Sequence, residues 1–115
     1  MPFYELKDVL GIPLVNGITI RAIYGQNVSV SFLEFAAYST IPPHAHPNEQ
    51  VGIVEEGALL YTIGDETKLC PAGSAFVIPP NVVHSATVVS DKPAKLIDVF
   101  TPPRNIQELL KFTDR

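Results

Sequence analysis

The sequence predicts an all-β domain, an antiparallel barrel or jelly roll, with one short helix at its C-terminal end. Three observations carry that prediction. Apolar residues alternate with a period of two in several short runs. Eleven prolines and seven glycines interrupt the chain too often for long helices. Only the tail spaces its apolar residues for a helical face.

Taken in order, Met1 to Val15 reads as irregular, with at most one short strand. Ile18 to Tyr24 alternates and reads as a strand, closed by the turn Gly25-Gln26-Asn27. Val28 to Phe35 extends again, but its apolar phase slips at Phe32-Leu33. That slip predicts a bulge or a strand buried on both faces. Ile41-Pro42-Pro43 is expected to break the ladder. Val51 to Val54 and Ala58 to Ile63 read as strands around a Glu55-Glu56-Gly57 turn. Gly64-Asp65 is a hairpin signal leading into Thr67 to Cys70. Pro71-Ala72-Gly73 turns, Ala75 to Ile78 is short and apolar, and Pro79-Pro80-Asn81 turns again. Val82 to Val89 extends, and Leu96 to Thr101 follows the turn Asp91-Lys92-Pro93. Asn105 can cap a helix over about 105–112, with Glu108 three residues on and Ile106, Leu109 and Leu110 on one face.

Composition narrows the partners. The chain has 115 residues, the size of a single domain, with 46% hydrophobic residues to build a core. A net charge of −4 and no Lys/Arg cluster argue against a nucleic-acid backbone. No apolar run approaches the length of a membrane span, and the N-terminus lacks the features of a signal peptide. One cysteine cannot form an internal disulfide. The expectation is a cytoplasmic protein with a small-molecule partner. Cys70 reads as a small buried hydrophobe rather than a ligand.

The three histidines are His44, His46 and His84. On an extended chain His44 and His46 face the same side, so both imidazoles can reach one point. Gln50 follows the turn Pro47-Asn48-Glu49 and can come beside them. His84 follows the proline-fixed bend at Pro79-Pro80 and can be aimed across a barrel. Four neutral nitrogen and oxygen ligands suit one divalent transition metal: Zn, Ni, Fe, Mn or Co. Glu49 is the rival fourth ligand, but faces away if the strand begins there.

These residues carry a resemblance. His44-x-His46-x3-Gln50-x6-Gly57 resembles the first motif of the cupin family, and Gly73-x5-Pro79-x-Asn81-x2-His84 resembles the second. Together they span Tyr38 to Val88. The resemblance implies a double-stranded β-helix barrel, here one domain over 1–115 with its core at about 28–101. It implies one metal inside, held by His44, His46, Gln50 and His84, and points towards a homodimer. Three departures stand out. Tyr38 and Asn81 occupy turn positions where the family has Gly; Asn tolerates left-handed backbone, whereas Tyr38 puts the shape of its turn in question. Gln50 replaces the usual Glu, which leaves the metal's full charge uncancelled and favours non-redox chemistry on an acidic substrate.

The last strand places Leu96, Asp98 and Phe100 on one face. An Asp inside an apolar strand is costly unless it is partnered or useful. Asp98 is therefore either bonded to a neighbouring loop, on an exposed face, or an interior acid/base beside the metal. Phe100 is then an apolar wall or plain core. Arg104 is a solvated cation or a fork for a substrate carboxylate. Tyr61 either lines the cavity or packs outside.

The ending Asp98-Val99-Phe100-Thr101-Pro102-Pro103-Arg104, with the histidine motif, is similar to the KdgF-type pectin-degradation cupins. That similarity implies an enzyme acting on 4,5-unsaturated uronates from pectin or alginate breakdown, with Asp98, Phe100 and Arg104 as its catalytic residues. A cupin dioxygenase and a non-catalytic sugar- or metabolite-binding cupin are the competing functions.

Overall fold

The computed structural model describes residues 2–14 and 17–105. Among these residues ten strands form in chain order: β1 (Ile12–Pro13), β2 (Ile18–Tyr24), β3 (Ser29–Phe35), β4 (Thr40–His44), β5 (Glu49–Glu56), β6 (Ala58–Ile63), β7 (Glu66–Pro71), β8 (Ala75–Ile78), β9 (His84–Val88) and β10 (Ala94–Thr101). They make a six-stranded sheet, β1-β2-β3-β10-β5-β8, and a four-stranded sheet, β4-β9-β6-β7. All pairings are antiparallel. Among the described residues there is no α-helix; a 3-10 turn lies at Leu6–Asp8. The helix expected over 105–112 is not borne out: Asn105 is irregular, and 106–112 lie outside the described residues. Among the described residues no helix is long and apolar enough to cross a membrane.

The two-residue period of β2, β3, β5 and β10 sends alternate side chains into one core shared by both sheets. The six-stranded sheet contributes Ile18, Ile20, Leu33, Phe35, Val54, Ile78 and Leu96, and the four-stranded sheet Leu59, Tyr61, Ala86 and Val88. Register stacks the inward residues in cross-strand rows. Ile20, Leu33, Leu96 and Val54 form one apolar row. The next row towards the His44 end is Ala22, Ser31, Asp98, Gly52 and Phe76, and the last is Ser29, Phe100, Gln50 and Ile78. The inside thus changes from apolar to polar along the strands.

Those rows explain the phase slip in β3. No bulge occurs: register runs unbroken from Ser29 to Phe35 against both neighbours. Ser29 and Ser31 simply occupy inward positions in the polar rows, while Val30 and Phe32 sit half-buried on the outer face. The prolines do not end the ladder either. Pro42 and Pro43 lie inside β4, with a register shift between Ile41 and His44. β4 is an edge strand, where a missing N–H costs little.

β5 runs on through Glu55 and Glu56, so the turn into β6 rests on Gly57 alone. Its φ is +79°, and a Cβ there would come within 2.9 Å of the Ala94 backbone. Tyr38 and Asn81 both adopt left-handed backbone, with φ of 60° and 65°. The Tyr38 turn therefore adopts left-handed backbone without glycine, and the residue is 64% exposed.

Candidate metal centre

His44 ends β4 and His84 begins β9, and the two are paired across the ladder. Their ring centroids are 4.2 Å apart. His46 lies in the link to β5, 4.9 Å from His84 and 5.9 Å from His44 by ring centroid. The three available nitrogen atoms fall within 4.8 Å of one another.

Each ring is oriented by the main chain. The Nδ1–H of His44 donates to Pro42 O at 2.9 Å, that of His46 to Asn48 O at 3.1 Å, and that of His84 to Val82 O at 2.9 Å. A carbonyl oxygen only accepts, so these bonds place the hydrogen on Nδ1 and leave the Nε2 lone pairs for a ligand. Burial pushes His44 and His46 down to about 4, and the charge of Arg104 adds to the effect. Burial lowers His84 as well. All three are neutral near pH 7, the form that binds metal.

Gln50 enters from the start of β5, buried, with Oε1 3.1 Å from His46 Nε2. Its side chain hydrogen-bonds Tyr61 and Asp98, in each case favouring the charged oxygen. The amide N–H groups are therefore the donors, and the carbonyl oxygen is left to face the histidines. Glu49, the rival ligand, begins β5 and is exposed on its outer face.

The donor set fits a divalent transition metal. Among the described residues His84 Nε2 is buried without a hydrogen-bond partner, and an orphaned imidazole lone pair is costly unless a cation or proton uses it. Three imidazole nitrogens gathered together, with an amide oxygen beside them, match borderline ions such as Zn or Fe.

The remaining candidates converge on the same cavity. Its lining includes His44, Gln50, Tyr61, His84, Asp98 and Phe100. Asp98 is 6% exposed, so it is not on an exposed face; its Oδ1 has no hydrogen-bond partner among the described residues. Burial raises its carboxyl to about 7, opposed by the Gln50 hydrogen bond and the Arg104 charge. Phe100 meets His46 edge-on at 5.6 Å, and the Arg104 guanidinium lies 5.5 Å from the Phe100 ring centre. Arg104 is 4% exposed rather than solvated, with its main-chain N–H donating to Ser29 Oγ at 2.9 Å.

Tyr61 lines the cavity, fully enclosed, and stacks on Phe76 with centroids 4.2 Å apart. Phe76 in turn lies over Gly52, its cross-strand partner, where a Cβ would come within 2.2 Å of the ring. Neither this support nor the buried Asn48 announces itself in sequence: a Gly in a strand and an Asn in a turn have many uses. Only the alternation that puts Ser31 in phase with Leu33 signals a polar interior.

Comparison with known proteins agrees with this architecture. The Cupin domain family matches residues 31–100. The H2HPP isomerase of Bacillus subtilis is 38% identical over 85 residues, covering 73% of this chain and 36% of that protein. The chain thus spans little more than a third of that relative's length. The structure of KdgF from Halomonas sp. superposes with a TM-score of 0.85 at 23% identity, covering 93% of this chain and 98% of that one. An RmlC-like cupin from Shewanella frigidimarina also gives 0.85, at 24% identity, over 93% of this chain and 96% of its own.

Proposed function

The chain belongs to the cupin domain family, and on that premise we propose that it is a metal-dependent enzyme of the lyase or isomerase type. Its substrate is a 4,5-unsaturated uronate from pectin or alginate breakdown, and its product the linear keto form. One observation carries the reading. A buried carboxyl with a pKa of about 7, Asp98, and a buried guanidinium, Arg104, flank a histidine cluster whose side chains bear no charge. The names of related proteins, an isomerase and KdgF, support it.

His44, His46, Gln50 and His84 would hold one divalent transition metal. Bound there, it supplies Lewis acidity that polarises a substrate oxygen. Arg104 binds the uronate carboxylate through its two-pronged fork. Phe100 forms the flat wall against which the sugar ring lies. Ring opening breaks the C1–O5 bond, moves the C1 hydroxyl proton to O5 and leaves an enol at C5. Protonated Asp98 delivers its proton to C4, whose new bond takes the C4=C5 π electrons. The enol proton returns to Asp98 as the C5 carbonyl forms. A carboxyl poised near neutral pH suits both halves of that exchange.

We take the molecule to work as a homodimer. The outer face of the six-stranded sheet supports this, with a continuous apolar row of Val77, Val51, Val99, Val30 and Ile23. Sedimentation at micromolar concentration gives twice the chain mass if so.

The function is tested by following the conjugated double-bond absorbance of an unsaturated uronate. Metal-loaded protein is expected to remove it, Asp98→Asn at least about a hundred-fold more slowly. Loss no faster than in buffer, oxygen uptake with a catechol or diketone, or tight uronate binding without turnover would each overturn the reading.

A further inference from the structure

The link between β4 and β5 holds a residue that the chemistry above leaves unused. Asn48 is 5% exposed. Its main-chain carbonyl accepts the His46 Nδ1–H bond at 3.1 Å. Its side-chain Nδ2 donates to Pro102 O at 2.6 Å and to Pro103 O at 3.4 Å. Those prolines follow β10 and lead directly into Arg104, whose main-chain N–H is fixed by Ser29 Oγ at 2.9 Å.

Two consecutive prolines offer no N–H to a ladder, so the sheet cannot fix this segment in the ordinary way. Their carbonyls can still accept, and one buried amide donates to both. The segment carrying Arg104 is thus pinned on one side by Asn48 and on the other by Ser29. The same residue anchors the ring of His46. An amide is suited to this position because its nitrogen carries two hydrogens and points them at two acceptors.

We infer that Asn48 is a positioning residue that ties the histidine loop to the segment bearing Arg104, and so sets the affinity of the cavity for a carboxylate. The inference deepens the uronate reading and rests on its assignment of Arg104 to the substrate's carboxylate. Asn48 acts through Arg104 and does not touch the reacting atoms. Its effect falls on anion binding and not on the metal, because the His46 contact uses the Asn48 main chain, which substitution leaves in place.

The test is a double-mutant cycle on zinc-loaded protein with D-galacturonate, a saturated uronate, as the calorimetric probe. Asn48→Ala is expected to weaken galacturonate binding about ten-fold. In an Arg104→Ala background the same change is expected to matter less than two-fold. Zinc affinity, read by competition with a chromophoric chelator, stays within three-fold throughout. Asn48→Ser, too short to reach either proline carbonyl, repeats the result should the alanine variant fold poorly. An equal loss in both backgrounds, or zinc affinity falling in step with galacturonate, overturns the inference. If wild-type protein binds no galacturonate, it is the uronate reading that fails. Positioning is then read from the Arg104 Nε–H resonance in nitrogen-15 spectra, assigned by its absence in Arg104→Lys. A slowly exchanging signal that moves to the solvent-exposed position in Asn48→Ala supports the tie; an unchanged signal refutes it.

Discussion

Gly52→Ala tests the structural support of the centre from its far side. The new Cβ would lie 2.2, 2.4 and 2.8 Å from three Phe76 ring atoms, well inside contact distance. Either the ring and its strand shift, or the ring swings away from Tyr61. A shift overpacks the site, at a cost of about 1–3 kcal/mol. A swing forfeits the aromatic pair, about 0.5–1.5 kcal/mol, and leaves space beside a buried tyrosine that must also be filled. The two routes bracket about 0.5–3 kcal/mol, or roughly 2–12 °C in Tm at about 4 °C per kcal/mol for a domain of this size. The loss propagates inward, since Tyr61 accepts from the Gln50 amide whose carbonyl faces the histidines. Zinc affinity is expected to fall several-fold. Calorimetry and chelator competition measure the two effects, and Gly52→Ala/Phe76→Leu should recover part of both. A Tm within 1 °C of wild type, or a double variant in which the two losses simply add, refutes the reasoning.

Three further outcomes follow from the geometry. Zinc at a hundred times its Kd is expected to stabilise the protein by about 2.7 kcal/mol, reversibly with chelator, and thermal melts of His84→Ala should show no such gain. Metal-free protein is expected to lose stability between about pH 6.5 and pH 4, where the unfolded chain takes up protons that His44 and His46, held at about 4, refuse. Asp98 opposes them, because its carboxyl binds a proton near pH 7 folded and near 3.8 unfolded; urea titrations should therefore show a steeper acid loss in Asp98→Asn, and a wild-type gain from pH 6.5 to 5 would contradict the assignment. Tyr38→Gly removes a left-handed strain of roughly 1–2 kcal/mol and adds roughly 0.4–1 kcal/mol of unfolded-chain entropy, so the urea midpoint should rise.

Much of this molecule was legible where one physical rule governs a residue. Ile18 to Tyr24 alternates because one face meets the core, and Gly64-Asp65 turns between β6 and β7 as its type predicts. The histidine pair and Gln50 were legible because a strand and a turn fix their phase. Legibility failed where two demands meet. Ser29 and Ser31 obscure the period of β3 because the cavity wants polar groups where the core pattern wants apolar ones. Pro42 and Pro43 read as a break because nothing local says that β4 lies at an edge. Asp98 fits three settings in sequence because its neighbours across the sheet, Ser31 and Gly52, are far away along the chain. Asn48 gave no signal, since its partners lie 54 and 55 residues away.

The rows of inward residues have a further consequence. Leu33, Leu96 and Val54 anchor one end of the same strands that carry Ser31, Asp98 and Gln50 at the other. Rigidity and reactivity are thereby housed in separate storeys of one frame. Exchanges in the upper storey can retune what the cavity accepts while the lower storey keeps the walls upright, so such a barrel can diversify without first having to be rebuilt.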